Sequence, residues 1–172
     1  MRRPRIIFPV LLLLLPVFGS IAGAETAAVK KAYISIIIDD LGYRLHDGLR
    51  ATALPGPVVC AIMPHAPYAA ELAQIAFQQG KDVILHQPLE ALQKNEFLGP
   101  GALTLDMTEK EFKDTFDSNM KSVPHLIGIN NHMGSLLTQH PGAMAWLMGS
   151  IKRNGLIFID SITSDNSVAA AI

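Results

Sequence analysis

A single cysteine in 172 residues excludes an internal disulfide and every zinc or iron–sulfur site built on several thiolates. Lysine and arginine number 14 against 15 aspartates and glutamates, so the chain lacks the basic excess that a nucleic-acid face demands. Aromatic residues make up only 6%, too few for base-stacking platforms. Charged residues are also sparse at 17%, while 49% are hydrophobic; that balance excludes a disordered chain and suits one packed domain. A glycine-rich phosphate loop is missing too. Asp39-Asp40-Leu41-Gly42 stands where a dinucleotide fold would place G-x-G-x-x-G. Neither Ser135 nor Ser161 sits in G-x-S-x-G, so neither is a candidate nucleophile.

What the N-terminus has is an export pattern. Arg2, Arg3 and Arg5 precede a nearly unbroken apolar stretch from Ile6 to Phe18, and Ala22-Gly23-Ala24 follows. A basic start, an apolar middle and a small-x-small exit predict a cleaved signal over residues 1–24. A permanent anchor is the rival reading. The apolar run falls short of the roughly 20 residues a span needs, and Pro9 and Pro16 interrupt it, so no stable membrane span is expected after cleavage. Residues 25–31 then form a short linker, and the mature protein is expected to be secreted or periplasmic.

From Ala32 onward, short β-branched runs alternate with amphipathic stretches. Ala32–Ile38, Val58–Met63, Asp82–Leu85, Leu126–Ile129 and Leu156–Ile159 read as strands buried on both faces. Between them, Leu45, Leu49 and Ala53 recur at helical spacing, and Pro67 opens a helix that Gly80 closes. Thr108-Glu109-Lys110-Glu111 carries a capping box ahead of Phe112, Phe116 and Met120, and Pro141 opens a last helix ending at Asn154-Gly155. Val168–Ile172 reads as the start of one more. The Met residues on these faces are core filler, and Cys60 lies in an apolar run that predicts a buried, inert thiol. Repeated strand–helix units imply a mostly parallel sheet with right-handed crossovers. It is either open and doubly wound or a closed or partly closed barrel. A full α/β barrel takes about 250 residues, sometimes 200, so a barrel over residues 32–172 is expected to be incomplete at its C-terminus.

The polar residues gather at the ends of these runs. Asp39 and Asp40 follow the first, His65 the second, His86 the third, Asn130, Asn131 and His132 the fourth, Asp160 and Ser161 the fifth. In parallel α/β folds those C-terminal ends share one face, where ligands bind. A carboxylate with two imidazoles suits Zn²⁺ or another divalent ion and leaves positions open for water. Such an ion lowers the pKa of its water and polarises a carbonyl, and a second carboxylate can take the proton. Consecutive strand residues diverge, so one aspartate can ligate while the other faces substrate. Each residue also has a plainer role open to it. Asp39-Asp40 can cap the next helix, His86 can be a satisfied core histidine, and Asn130 and Asn131 can turn the chain. His65 is the rival ligand, though Pro64 and Pro67 around it also suit an ordinary loop. His46, His125 and His140 fall away from strand ends and are expected to face solvent.

Four segments, Ile36-Ile37-Ile38-Asp39-Asp40-Leu41-Gly42, Val83-Ile84-Leu85-His86-Gln87-Pro88-Leu89-Glu90, Gly128-Ile129-Asn130-Asn131-His132-Met133-Gly134-Ser135 and Phe158-Ile159-Asp160-Ser161, together resemble the divergent polysaccharide deacetylase family. The resemblance implies an irregular (β/α) barrel, a divalent metal, zinc by preference, and a polysaccharide or cell-wall glycan as partner. Carried over by motif, Asp39 resembles the family's base and Asp40 a metal ligand. His86 stands where the first metal histidine falls, and His132 is the best replacement for the second. Asn131, Ser135, Asp160 and His65 are the candidates for substrate contact, with Asn131 or backbone N–H groups near Gly134 placed to hold an oxyanion. Ordinary deacetylases carry both metal histidines on one motif, whereas here they come from different strand ends, and the family's late catalytic histidine has no counterpart before Ile172. A non-catalytic envelope protein that binds glycan or a protein partner is therefore the second expectation, and an open α/β binding protein the third.

Overall fold

A computed structural model describes residues 32–172; the signal and linker expected over 1–31 lie outside the described residues. Strands and helices alternate as β1 (Ile36–Leu41), α1 (Leu45–Thr52), β2 (Val58–Ile62), α2 (Ala69–Gln78), β3 (Asp82–Leu89), α3 (Glu109–Ser122), β4 (Leu126–Met133), α4 (Pro141–Arg153) and β5 (Ile157–Ile159). The strands form one five-stranded parallel sheet in the order β1-β2-β3-β4-β5. A doubly wound sheet reverses its strand order part-way, and this one never does, so the doubly wound alternative falls. Right-handed crossovers taken always in the same direction put every helix on one face. A single apolar cluster agrees: Cys60, Ile62, Val83, Leu85, Leu89 and Ile129 pack with Leu72, Phe112, Phe116, Met144 and Leu147 from three of the helices. The sheet does not close, since β1 and β5 each have one neighbour. The chain thus forms an open α/β wall of parallel strands in sequential, barrel-type order.

Helix ends follow their sequence signals. The Thr108 hydroxyl accepts from the Glu111 N–H and the Glu111 carboxylate accepts from the Thr108 N–H, at 3.3 and 2.9 Å, a complete capping box for α3. Pro141 occupies the first turn of α4, and His140 caps it by accepting from the Ala143 N–H at 3.1 Å. His46, His125 and His140 are all exposed, as expected. Cys60 is fully buried, and that burial pushes its thiol pKa up, which fits an inert core residue.

Three expectations need correction. β1 starts at Ile36, and Ile36 is exposed, because an edge strand of an open sheet is not covered on both sides. β3 and β4 do not stop at Leu85 and Ile129 but continue through His86-Gln87-Pro88-Leu89 and Asn130-Asn131-His132-Met133. A proline in a central strand normally argues against the strand. Here β2 ends its pairing with β3 at Leu85, so the donor Pro88 lacks has no acceptor waiting on β2. Val168–Ile172 forms only a short 3₁₀ turn, Ala169–Ala171, and not the start of an α-helix. The longer strands matter for the site: its side chains stand on hydrogen-bonded backbone rather than on loops.

Candidate functional site

β1 breaks its register with β2 between Ile38 and Leu41, and within that bulge Asp40 takes a left-handed φ of 59°. Aspartate tolerates this region better than most residues. The bulge re-aims a side chain that a regular strand would send to the opposite face. Asp39 and Asp40 consequently both reach one imidazole. Asp40 Oδ1 lies 3.2 Å from His86 Nε2, and Asp39 Oδ1 lies 3.7 Å from His86 Nδ1. Gly42 follows at φ +121°, where a Cβ would stand 2.7 Å from that of Ala66, so no larger residue fits the turn that holds the pair.

β3 and β4 bring in the rest. They pair in register from Ile84↔Gly128 to Leu89↔Met133, so residues two apart on each strand stack on the face away from the helices. His86 is on that face, with Asn130 and His132 across from it. His132 Nδ1 lies 3.3 Å from His86 Nε2 and 3.1 Å from Asp40 Oδ1. Among the described residues, Asp40, His86 and His132 form the one group of this kind with ligand atoms in mutual reach.

The far side of each ring decides what the near side offers. Asn130 lies between His86 and Asp39, 2.8 Å from His86 Nδ1 through Oδ1 and 2.8 Å from Asp39 Oδ1 through Nδ2. An ionised carboxylate only accepts, so the amide nitrogen faces Asp39 and the amide oxygen takes a proton from His86 Nδ1. His86 Nε2 is then left with its lone pair. His132 Nε2 donates to the Phe97 carbonyl at 3.2 Å, which leaves His132 Nδ1 with its lone pair. Three electron-pair donors therefore face one another with only a cation or a shared proton to reconcile them. Where a proton rather than a cation fills that gap, the hydrogen bond it lets His86 donate, then the positive charge on the imidazoles, holds the Asp40 carboxyl below the usual carboxylate range against the opposing effect of its burial.

The spacing of the three donors suits one shared divalent ion. The edge of a tetrahedron is about 1.63 times the bond length, so ligand bonds of about 2.0–2.1 Å, as for zinc, require edges of about 3.3–3.4 Å. An octahedral ion with bonds of about 2.0–2.1 Å, as for magnesium, requires edges of about 2.8–3.0 Å. The observed 3.1, 3.2 and 3.3 Å span the gap between the two ranges, and two imidazoles with one carboxylate are a donor set that a divalent ion accepts. The residues present fit the group.

Comparison with known proteins matches residues 36–172 to the divergent polysaccharide deacetylase family. The chain belongs to that family. It is 35% identical over 146 residues to the uncharacterized protein YibQ of Escherichia coli K12, covering 85% of this chain and 46% of YibQ. It is 37% identical over 139 residues to an uncharacterized protein of Haemophilus influenzae Rd, covering 81% and 49% respectively. The chain thus spans about half the length of these relatives. In structure it is similar to the uncharacterized protein ATU2773 from Agrobacterium tumefaciens C58, with a TM-score of 0.75, 23% identity, and coverage of 80% of this chain and 56% of that one. That likeness supports the α/β fold.

The divergent deacetylase chain does not gather every expected residue at this centre. Asn131 alternates to the helix side and is 1% exposed; its amide donates to the Met133 carbonyl and accepts from the Ser161 N–H. Ser135 Oγ accepts from the Leu92 N–H. Asp160 accepts from the Ile162 N–H and the Ser167 hydroxyl. His65 is exposed and bonds through Nε2 to Asn119, whose amide reaches Gln87 on the helix side of β3. Asn130 and the Phe97 carbonyl were not anticipated. The signal for Asn130 was present in the strand period, since it stands two residues from His132 and so shares its face. A concavity of about 630 Å³ lies at the opposite end of the strands, against Val123, His125, Leu126 and Arg153, away from the ligand trio.

Proposed function

We propose that this divergent polysaccharide deacetylase is an exported, divalent-metal-dependent hydrolase that removes acetyl groups from a polysaccharide or cell-wall glycan. The observation that carries the reading is the meeting of Asp40, His86 and His132 at 3.1–3.3 Å with Asp39 alongside. Those three residues would hold the ion, with zinc the preferred one for two imidazoles and a carboxylate. When bound, it supplies an acidified water and a polarised acetyl carbonyl.

The chain's own residues do the rest. His86 and His132 present unprotonated nitrogens because Asn130 and the Phe97 carbonyl hold their protons on the far side of each ring. Asp40 stays ionised over the working pH range, as its lowered pKa requires. Asp39 takes a proton from the attacking water at Oδ2, the oxygen left free by Asn130, and returns it to the departing amine or hydroxyl as the acetyl bond breaks, while Asn130 keeps the carboxylate oriented. The Asp40 side chain is 66% exposed and stands at the rim, which suits a polymer laid across the strand ends better than a small molecule enclosed in a pocket. The basic-then-apolar N-terminal sequence supports export.

The test is release of acetate from acetylated glycans by the full-length protein, with and without a chelator, beside Asp40→Ala. Turnover lost with chelator and restored by Zn²⁺, and absent in the variant, is the expected result. Turnover indifferent to both overturns the mechanism. Metal and glycan binding without any turnover replaces it with the non-catalytic reading.

A further inference from the structure

Asn130 is 2% exposed, and both ends of its amide are committed within the site. We infer that Asn130 is the positioning residue of this centre: one side-chain amide fixes which nitrogen of His86 carries the proton and, with its other end, orients the Asp39 carboxylate. This rests on the metal-site reading for its consequences but not for its geometry.

The argument is one of donors and acceptors. Asp39 admits only a donor, so the amide cannot flip without placing an oxygen against a carboxylate. The remaining amide oxygen admits only a donor from His86. The proton is thereby kept on Nδ1, and Nε2 is turned toward Asp40 and His132 as a lone pair. His86 is itself almost wholly buried, and Asp39 Oδ1, the other acceptor on that side, stands 3.7 Å from Nδ1, beyond hydrogen-bond reach. Leucine at position 130 has nearly the shape of asparagine but accepts and donates nothing. Aspartate keeps an acceptor for His86 but sets a second carboxyl against Asp39, where the pair can hold only one charge between them and Asp39 is no longer a free base. The two substitutions therefore separate the halves of the role.

The experiment assigns the ring nitrogens of His86 by ¹⁵N NMR in the wild type, Asn130→Leu and Asn130→Asp, each with and without Zn²⁺. Calorimetric Zn²⁺ affinity and acetate release are measured alongside, and circular dichroism checks folding. In the wild type His86 carries its proton on Nδ1. Asn130→Leu mixes the tautomers and weakens Zn²⁺ binding by about 10–100-fold, the usual effect of removing a partner that orients a ligand. Asn130→Asp retains the tautomer and binds Zn²⁺ as the wild type does within a few-fold, yet turns substrate over more slowly. An Asn130→Leu protein with His86 still on Nδ1 and unchanged affinity overturns the inference. Should Asn130→Leu fail to fold, an Asn130→Asp protein that loses the Nδ1 proton overturns it equally. A wild type that takes up no Zn²⁺ but keeps the Nδ1 tautomer removes the metal reading and leaves the inference standing.

Discussion

Replacing Asp40 by Asn separates the cation site from the fold that carries it. The Asp40 side chain is 66% exposed, and its contacts are two imidazoles at 3.2 and 3.1 Å. Ion pairs this open to solvent contribute about 0–1 kcal/mol, so the metal-free variant is expected to melt within about 4 °C of the wild type at this chain size. The metal-dependent difference is larger. A ligand at about 100 times its Kd stabilises the native state by about 2.7 kcal/mol. At about 2–4 °C per kcal/mol, Zn²⁺ raises the wild-type Tm by about 5–11 °C. Asn at position 40 keeps the shape but loses the charge, leaving two imidazoles and a weak amide oxygen, and the rise shrinks to within about 2 °C at the same Zn²⁺ concentration. Differential scanning calorimetry with and without Zn²⁺ reads both quantities. A variant that still gains the full rise would show that Asp40 is not a ligand, and a variant already unfolded without metal would show that it is part of the scaffold.

The remaining predictions concern the scaffold and its pH dependence. Asp40 has its pKa lowered in the folded protein, so its stabilising charge is fully present above the unfolded value of about 3.9 and disappears as pH falls through the lower folded value. Metal-free melts of the wild type and Asp40→Asn should accordingly converge in strong acid, as the Asp40 charge is lost; divergence on acidification would contradict the sign. Leu85→Ala, at a fully buried position between β3 and the helices, should cost about 2–5 kcal/mol in urea unfolding, and a cost under 1 would mean that the core is elsewhere. Gly42→Ala forces a Cβ to 2.7 Å from Ala66 at φ +121° and should cost about 1–3 kcal/mol while also lowering Zn²⁺ affinity by displacing Asp40; wild-type stability would refute the tight turn. Thr108→Ala removes the α3 cap and should cost about 1 kcal/mol without touching Zn²⁺ binding.

Much of this was legible in the chain itself. β-branched runs, proline starts and glycine stops located the five strands and four α-helices, the rule that parallel strands present their C-terminal ends together gathered the polar candidates, and the family resemblance narrowed the ligands to Asp40, His86 and His132. Four features were missed for physical reasons. The bulge that turns Asp39 and Asp40 toward the same imidazole is a backbone event, invisible to a two-residue period. The continuation of β3 through Pro88 depends on where β2 stops, which is a tertiary fact. Asn130 and Asn131 look alike as turn residues, yet alternation puts Asn130 in the site and Asn131 among the helix-side hydrogen bonds. The exposure of Ile36 follows from its edge position, which no local pattern encodes.

The central claim is that one cation is shared by residues from three strands. Diffraction from Zn²⁺-soaked crystals at the zinc absorption edge tests it most directly. An anomalous peak about 2.0–2.2 Å from Asp40 Oδ1, His86 Nε2 and His132 Nδ1 together is the predicted result. A peak bound elsewhere, or none at those three atoms at saturating Zn²⁺, would contradict it.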